Sequence, residues 1–288
     1  MTRSTGRLSR LRMLQGSGAA LAALGLSGTV GFGVPHDMQV KEQEGVMSEN
    51  KASGKPTIVL VHGAFADSSG WNEIISTLLT LGYPVVAASN PLRSLTYDAG
   101  YVASILASIK GPIVLVGHSY GGMVISGAAK GNAKVKALVY ICADAPEVGE
   151  SAFDVADRFP GSALGPTLAP PVPQGDGAND LYIQQNKFPA LFCPDVPEPQ
   201  ARRMAASQRA ATDVALYEKA SGAAWKTIPS WFVWGELDQL IPAAAHRFMA
   251  ERANAREALE IKGGSHVVFI SYADTVAAMI VRAAKQAG

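Results

Sequence analysis

The sequence is poor in cysteine and in charge. Its 288 residues include two cysteines, and 17% are charged, with 25 basic against 24 acidic side chains. The sequence contains no Cys/His cluster at metal-ligand spacing and no internal repeat, which argues against a zinc-stabilised or solenoid protein. A net charge near zero gives no electrostatic basis for nucleic acid as a partner. The composition therefore favours one large domain with a substantial core.

The cysteines give little reason to expect a disulfide. Cys142 ends a predicted strand, and Cys193 lies in a proline-rich stretch. Export from the cytoplasm would permit a bond between them. We predict two free thiols, one of them buried, because an isolated cysteine usually behaves as a small apolar side chain.

The first 36 residues differ from the rest of the chain. Arginines occur at positions 3, 7, 10 and 12, and no Asp, Glu, Lys or Arg follows from residue 13 to residue 36. This pattern resembles a signal peptide or an uncleaved N-terminal anchor, although a clear Ala-x-Ala cleavage site is missing. We expect an exported protein, periplasmic or secreted. A cytoplasmic protein with an N-terminal extension is the alternative. Residues 37–55 are polar and are predicted to form a linker.

Residues 56–288 alternate between strand-like and helix-like patterns. Apolar, strand-like runs lie at Thr57–Val61, Tyr83–Ala88, Pro112–Val116, Lys134–Cys142, Trp231–Trp234 and Ala258–Ile261. Helical patterns lie at Glu73–Leu81, Tyr97–Ile109, Ala243–Ala253 and Ala273–Gln286. Such alternation predicts an α/β fold with a mostly parallel sheet and helices on both faces.

The segment 144–226 interrupts this alternation. Its many prolines and glycines are expected to exclude regular structure over most of its length, while helical character returns at Glu198–Ala211. The segment follows the carboxyl end of a strand, where open α/β sheets bind ligands. We therefore predict an inserted lid over the ligand site, with a surface insertion of no functional role as the alternative.

The most informative motif is Gly117-His118-Ser119-Tyr120-Gly121. It follows an apolar, β-branched run and precedes an Ala/Gly-rich stretch suited to a closely packed helix. Strand, Gly-x-Ser-x-Gly and helix in this order are typical of a nucleophile elbow, a tight turn that exposes the serine hydroxyl. The five-residue pattern alone also occurs by chance. The context is what indicates Ser119 as a nucleophile.

A serine nucleophile needs a base, and the base needs an orienting acid. In this kind of fold the acid and then the histidine follow the serine along the chain. His266 lies in a Gly-rich loop after a predicted strand and is the predicted base. Asp238 follows the Trp231–Trp234 strand and is the predicted acid, whereas Glu236 is expected to point outward. Asp144 is the competing acid because it also follows a strand.

Acyl transfer also needs donors for the negative charge that develops on the substrate oxygen. The backbone N–H of Tyr120, next to Ser119, is one expected donor. The second is expected from the loop after the first strand, where we select the N–H of Ala64. Phe65 in that loop is predicted to line the substrate pocket, and His62 to hold the loop through a side-chain hydrogen bond.

Several segments together resemble the α/β-hydrolase superfamily. They are His62–Trp71, Gly117–Gly122, Gly235–Asp238 and Gly264–His266. The likeness is to small bacterial esterase-like members related to plant methylesterases and hydroxynitrile lyases, and it extends from about Thr57 to the C-terminus. The resemblance implies the α/β-hydrolase fold and a Ser119–Asp238–His266 triad, with no cofactor and no metal. Asp144 departs from the pattern, since relatives usually carry an apolar or small residue there.

The expected function is hydrolysis of carboxylic esters of small to medium, apolar substrates through an acyl-enzyme on Ser119. Hydroxynitrile-lyase-like, lactonase or perhydrolase chemistry could use the same triad. Gly63 follows His62 and no lysine flanks Ser119, which favours a hydrolase over a lyase. A binding module that kept the fold is a third class, and an unreactive Ser119 would indicate it. The expected partner is a small-molecule ester, with neither nucleic acid nor a stable membrane span.

Overall fold

The computed structural model describes residues 54–156 and 158–287. The predicted signal peptide or anchor at residues 1–36 lies outside the described residues, as does nearly all of the predicted linker. Among the residues described, no helix is long and apolar enough to cross a membrane.

Strands and helices alternate regularly in the first part of the described chain. In order, they are β1 (Thr57–Val61), α1 (Asn72–Thr80), β2 (Val85–Ala88), α2 (Leu95–Ser108), β3 (Ile113–His118), α3 (Gly121–Ala128) and β4 (Val135–Ile141). Every strand predicted for this part is present, with its ends shifted by at most two residues. The residues of β1, β3 and β4 are almost all buried, as expected for strands covered on both faces.

The described part of residues 144–226 contains one helix of ten residues and otherwise strands and helices of two to five residues. They are α4 (Ala152–Ala156), β5 (Val172–Pro173), β6 (Asn179–Leu181), α5 (Phe188–Phe192), α6 (Glu198–Ser207), β7 (Ala211–Thr212) and α7 (Asp213–Tyr217). The three strands form a small antiparallel sheet in the order β5-β6-β7. The prediction of little regular structure holds for most of the segment, but proline does not exclude the short strands and helices that are present. Proline is tolerated in an edge strand such as β5 and in the first turn of α5 and α6.

The main sheet is completed by the last part of the chain. Its elements are β8 (Ser230–Gly235), α8 (Ala243–Arg252), β9 (Glu257–Ile261), α9 (Val268–Ser271) and α10 (Ala273–Ala287). The sheet has six strands in the order β2-β1-β3-β4-β8-β9, and all neighbouring strands are parallel. The predicted parallel α/β architecture is confirmed.

The strand order brings the functional loops to one edge of the sheet. The chain crosses from β1 to β2 in one direction and from β2 to β3 in the other, so right-handed connections place α1 and α2 on opposite faces. Helix α1 packs against α10, and α2 against α3. Because all six strands run the same way, the loops after β1, β3, β4, β8 and β9 share the carboxyl edge, where open α/β sheets bind ligands.

Two of these loops touch backbone to backbone. A Cβ added to Gly235, at the end of β8, would lie 2.2 Å from the carbonyl oxygen of Gly264 and 2.3 Å from that of Ser265. The N–H of Leu237 donates to the carbonyl oxygen of Gly264 at 2.8 Å. Glycine at position 235 therefore allows the loop after β8 to lie directly on the loop after β9.

We predict that Gly235→Ala lowers the free energy of unfolding by about 1–3 kcal/mol, because the backbone must move to admit a methyl group. Gly100→Ala is the matched control. Gly100 lies on the exposed side of α2 with no atom within 4 Å of an added Cβ. Alanine there should stabilise the helix by about 0.5–1 kcal/mol. Urea unfolding measures both effects, and a Gly235→Ala midpoint equal to that of the wild type would contradict the contact.

Candidate active site

Ser119 lies in the turn between β3 and α3 in a left-handed backbone conformation. Its φ is +53°, and the residue is 7% exposed. A Cβ on Gly121 would lie 2.5 Å from the carbonyl oxygen of Val61, and a Cβ on Gly63 would lie 2.5 Å from the Cβ of Ser119. The close approach of β1 and its loop to this turn explains why the motif has glycine at position 121. It also matches the geometry of a nucleophile elbow.

A cavity of about 260 Å³ borders Ser119. Ala64, Phe65, Tyr120 and Asp144 line it beside the serine. The rest of the lining is largely apolar and includes Phe153, Leu164, Pro166, Leu216, Leu240 and Ile241. The segment 144–226 contributes most of these apolar side chains and so forms much of the cavity wall.

Next to Ser119, in the turn itself and in the loop after β1, two backbone N–H groups that line the cavity have no acceptor among the described residues. They belong to Ala64 and Tyr120. The neighbouring N–H of Phe65, by contrast, donates to the carbonyl oxygen of Arg209 at 3.1 Å. Within the loop after β1, Ala64 therefore offers an unengaged donor and Phe65 does not. His62 contacts this loop as expected, with its Nδ1 3.0 Å from the carbonyl oxygen of the next residue.

The structure brings Asp238 and His266 into direct contact. Nδ1 of His266 lies 2.8 Å from Oδ2 of Asp238, and both side chains are buried. Oδ1 of Asp238 accepts hydrogen bonds from the backbone N–H groups of Leu240 at 2.9 Å and Ile241 at 3.0 Å. Burial acts to raise the pKa of Asp238, but the hydrogen bonds and electrostatic interactions with the His266 and His246 rings outweigh it and lower that pKa. The carboxyl group is therefore ionised at neutral pH.

His246 is a second histidine on Asp238, and sequence reasoning missed it as a site residue. Its Nε2 lies 3.1 Å from Oδ2 of Asp238, the oxygen that His266 also contacts. Burial lowers the pKa of His246, so a neutral ring donates this bond. The Trp234 ring stacks on it at 5.8 Å between centroids. The sequence did contain a signal for this contact. His246 lies in the first turn of the helix that follows Pro242. Helical side chains point back toward the N-terminus of their helix, and here that direction leads to the loop that carries Asp238.

The other ring nitrogen of His266 has no partner. Nε2 is buried without a hydrogen bond to any described residue, so no bond to Ser119 is formed here. Such bonds are often long in structures without substrate and tighten when substrate binds. The ring contacts two other aromatic side chains, His118 at 4.8 Å and Phe192 at 5.1 Å between centroids. Nε2 of His118 also lies 3.0 Å from the carbonyl oxygen of His266.

Asp195 fixes the loop that carries His266. Its Oδ2 accepts hydrogen bonds from the backbone N–H of Ser265 at 2.9 Å and from the hydroxyl of Ser271 at 2.7 Å. Asp195 belongs to the segment 144–226, and no motif singles it out in the sequence. The segment therefore both lines the cavity and bonds the loop that carries His266.

Of the candidate acids, Asp144 and Glu236 do not contact His266. Oδ1 of Asp144 is buried without a hydrogen-bond partner among the described residues. Burial and, to a lesser degree, the negative charge of Asp238 raise the pKa of Asp144 to about 7. Glu236 is exposed, as expected, and accepts a hydrogen bond from the N–H of Gly263 at 3.0 Å.

One group of side chains among those described has the spacing of a metal site. Ligand atoms of Cys142, Asp238 and His266 lie within 4.8 Å of one another. Metal binding requires a thiolate and a free ring nitrogen. Here burial raises the pKa of the Cys142 thiol, and Nδ1 of His266 is engaged by Asp238. The group fits a hydrogen-bonded pair better than a metal site. Cys142 and Cys193 are both free, as predicted, but both are buried rather than one.

Comparison with known proteins assigns the fold. The sequence profile of the alpha/beta hydrolase family matches residues 58–279. An alpha/beta hydrolase, nvfD, of Aspergillus novofumigatus (strain IBT 16806) is 30% identical over 259 residues, which cover 81% of this chain and 98% of that protein. An alpha-hydroxynitrile lyase of Arabidopsis thaliana is 26% identical over 240 residues, covering 75% of this chain and 92% of the lyase.

A solved structure gives the same result. Polyneuridine aldehyde esterase superposes with a TM-score of 0.69 at 18% identity, covering 79% of this chain and 98% of the esterase. At that identity the match shows the fold alone. The family match covers most of the chain, including Ser119, Asp238 and His266. This chain therefore belongs to the alpha/beta hydrolase family.

Proposed function

We propose that this protein is a serine hydrolase that cleaves carboxylic esters of small to medium substrates through an acyl-enzyme on Ser119. The observation that carries the proposal is the cavity itself, which borders Ser119 and two unengaged backbone donors, the N–H groups of Ala64 and Tyr120. The pairing of His266 with ionised Asp238 supports it, as do relatives named as hydrolases and esterases.

The first half of the reaction follows from this arrangement. Oγ of Ser119 attacks the ester carbonyl while Nε2 of His266 takes its proton. The carbonyl oxygen becomes negative and accepts hydrogen bonds from the N–H groups of Ala64 and Tyr120. The Asp238 carboxylate keeps the His266 ring in the correct tautomer and stabilises the imidazolium. The imidazolium then protonates the leaving alcohol.

The second half releases the acid. His266 removes a proton from a water molecule, which attacks the acyl carbon, and the same two N–H groups hold the oxyanion again. Collapse of this intermediate returns the proton to Oγ of Ser119 and frees the carboxylic acid. Each turnover therefore consumes one water molecule from solvent and leaves Ser119 and His266 in their starting protonation states.

Phe65 is proposed to separate the two parts of the ester. It lines the cavity beside Ser119 and also a second cavity of about 300 Å³ that Phe192, Val267 and Phe269 border. Phe192 contacts the His266 ring. The acyl part remains bound to Ser119 after the alcohol leaves, so it belongs in the first cavity. The alcohol departs on the His266 side, toward the second.

We expect the full chain to hydrolyse p-nitrophenyl esters, with the highest kcat/KM at short to medium acyl chains because the acyl cavity is about 260 Å³. Ser119→Ala should reduce the rate to the uncatalysed background. The release of p-nitrophenol from acetate to palmitate esters measures both. A fluorophosphonate should label the wild type and leave Ser119→Ala unlabelled.

Equal rates for the wild type and Ser119→Ala would refute the serine hydrolase. Cleavage of a cyanohydrin by a protein that leaves the ester series intact would instead indicate the chemistry named for the Arabidopsis relative. Circular dichroism of both proteins establishes that the variant is folded.

Asp238→Asn is expected to lower kcat by about 10⁴-fold, because an amide cannot hold the His266 tautomer or stabilise its imidazolium. Glu236→Gln is the matched control. It makes the same chemical change on an exposed acid in the same loop, so its kcat should stay within about twofold. Steady-state kinetics on one ester decide the assignment. A larger loss in Glu236→Gln than in Asp238→Asn would reverse it.

His246 is proposed to act as a positioning residue for Asp238. His246→Leu should lower kcat by about 10–100-fold with little change in KM, since a hydrogen bond to a charged group contributes about 1.5–3 kcal/mol. His246→Gln keeps an amide donor and should recover most of the loss. A change confined to KM, or no difference between the two variants, would show that the bond to Asp238 has no role in the reaction.

A further inference from the structure

Asp144 is a buried acid that the proposed reaction leaves unused. It is 4% exposed and lines the cavity that borders Ser119. Its Oδ1 has no hydrogen-bond partner among the described residues. Asp238 already serves as the acid of His266. Asp144 therefore needs a different explanation.

The position is unfavourable for the folded protein. A buried polar atom without a partner loses the hydrogen bonds that water gives it in the unfolded chain. Much of the remaining cavity lining is apolar, including Phe153, Leu164, Leu216 and Leu240, and offers no side-chain partner. Buried polar groups are nearly always paired, and an exception at a ligand cavity indicates a partner that arrives with the ligand.

The charge around Asp144 selects the kind of ligand group. Burial and the negative charge of Asp238 both disfavour the ionised carboxyl and raise the pKa of Asp144. No described positive group counters these effects on Asp144. A neutral carboxyl carries an O–H donor, which an oxygen atom of a ligand can accept. With its pKa raised to about 7, Asp144 keeps its proton in slightly acidic solution. An ammonium group would need the ionised form instead.

We propose that Asp144 determines specificity by hydrogen-bonding a keto or hydroxyl oxygen on the acyl chain of the ester. This inference rests on the proposed function, because it places the acyl chain in the cavity beside Ser119. The cavity then has an apolar surface for the chain and a single buried acid for one oxygen substituent. A plain alkyl ester fills the same space but leaves Asp144 unpaired, so it should be the poorer substrate.

The test compares substrates of nearly equal size. We would measure kcat/KM of the full chain for methyl pentanoate, methyl 3-oxopentanoate and methyl 4-oxopentanoate. Methyl 4-(trimethylammonio)butanoate tests a cationic substituent. The readout is the kcat/KM of each substituted ester divided by the kcat/KM of methyl pentanoate. This ratio is compared between variants. The intrinsic reactivity of each ester is the same for every variant and cancels in that comparison.

Asp144→Leu removes the donor and keeps a similar shape. It should lower the kcat/KM ratio of the preferred oxo-ester to methyl pentanoate by about tenfold, because one hydrogen bond contributes about that factor. Asp144→Asn keeps an N–H donor and should retain most of the ratio. Asp176→Asn is the control, since Asp176 is exposed in the same segment and should keep the wild-type ratio. If the leucine variant does not fold, Asp144→Ala gives the same test.

Some results would overturn the inference. An oxo-ester ratio that is unchanged in Asp144→Leu would show that the carboxyl does not contact the substituent. A wild-type preference for the trimethylammonio ester that Asp144→Asn abolishes would show an ionised Asp144 that binds a cation. Either result leaves the serine hydrolase intact if Ser119→Ala remains inactive on methyl pentanoate.

A binding measurement separates failure of the inference from failure of the proposed function. If the wild type hydrolyses none of the esters, the proposed function fails. Calorimetric titration of Ser119→Ala with methyl 4-oxopentanoate and methyl pentanoate still tests Asp144. Tighter binding of the oxo-ester that is lost in Ser119→Ala/Asp144→Leu supports the hydrogen bond, and equal binding of both esters refutes it.

Discussion

The site depends on one buried carboxylate and the four donors that surround it. Asp238 accepts hydrogen bonds from Leu240, Ile241, His246 and His266. A buried charge is tolerable only when such bonds replace its hydration. The donors come from the loop after β8, from α8 and from the loop after β9, so the carboxylate ties three neighbouring parts of the chain together. The backbone contact at Gly235 is what allows them to come close enough.

The contrast between Asp238 and Asp144 shows how the same side chain acquires opposite properties in one site. Both are buried, and burial alone disfavours the charge on each. Asp238 has four donors and stays ionised, whereas Asp144 has none among the described residues and faces the negative charge of Asp238. Ionised Asp238 can stabilise an imidazolium, whereas Asp144 can keep its proton and donate a hydrogen bond to a ligand oxygen. Hydrogen bonding rather than depth of burial decides between these roles.

The sequence predicted the parts that local pattern controls. Apolar runs and their spacing identified the strands of the main sheet, and Ser119, Asp238 and His266 each follow one of them. It did not predict His246 or Asp195 as site residues, because their roles depend on contacts between loops that are distant along the chain. The small sheet of residues 144–226 was missed for a related reason. Its strands are two or three residues long, too short for periodicity to show.

The segment 144–226 does more than line the cavity, because it also bonds two of the loops at the site. Asp195 bonds the loop that carries His266, and the carbonyl oxygen of Arg209 engages the N–H of Phe65. The same segment lines the cavity beside Ser119 with Asp144 and with apolar side chains. A change that reshapes the cavity can therefore also move the histidine loop or release the Phe65 N–H beside Ala64. In the proposed reaction, substrate preference and rate are therefore coupled through this segment, because the residues that form the pocket also support the groups proposed to carry out the chemistry.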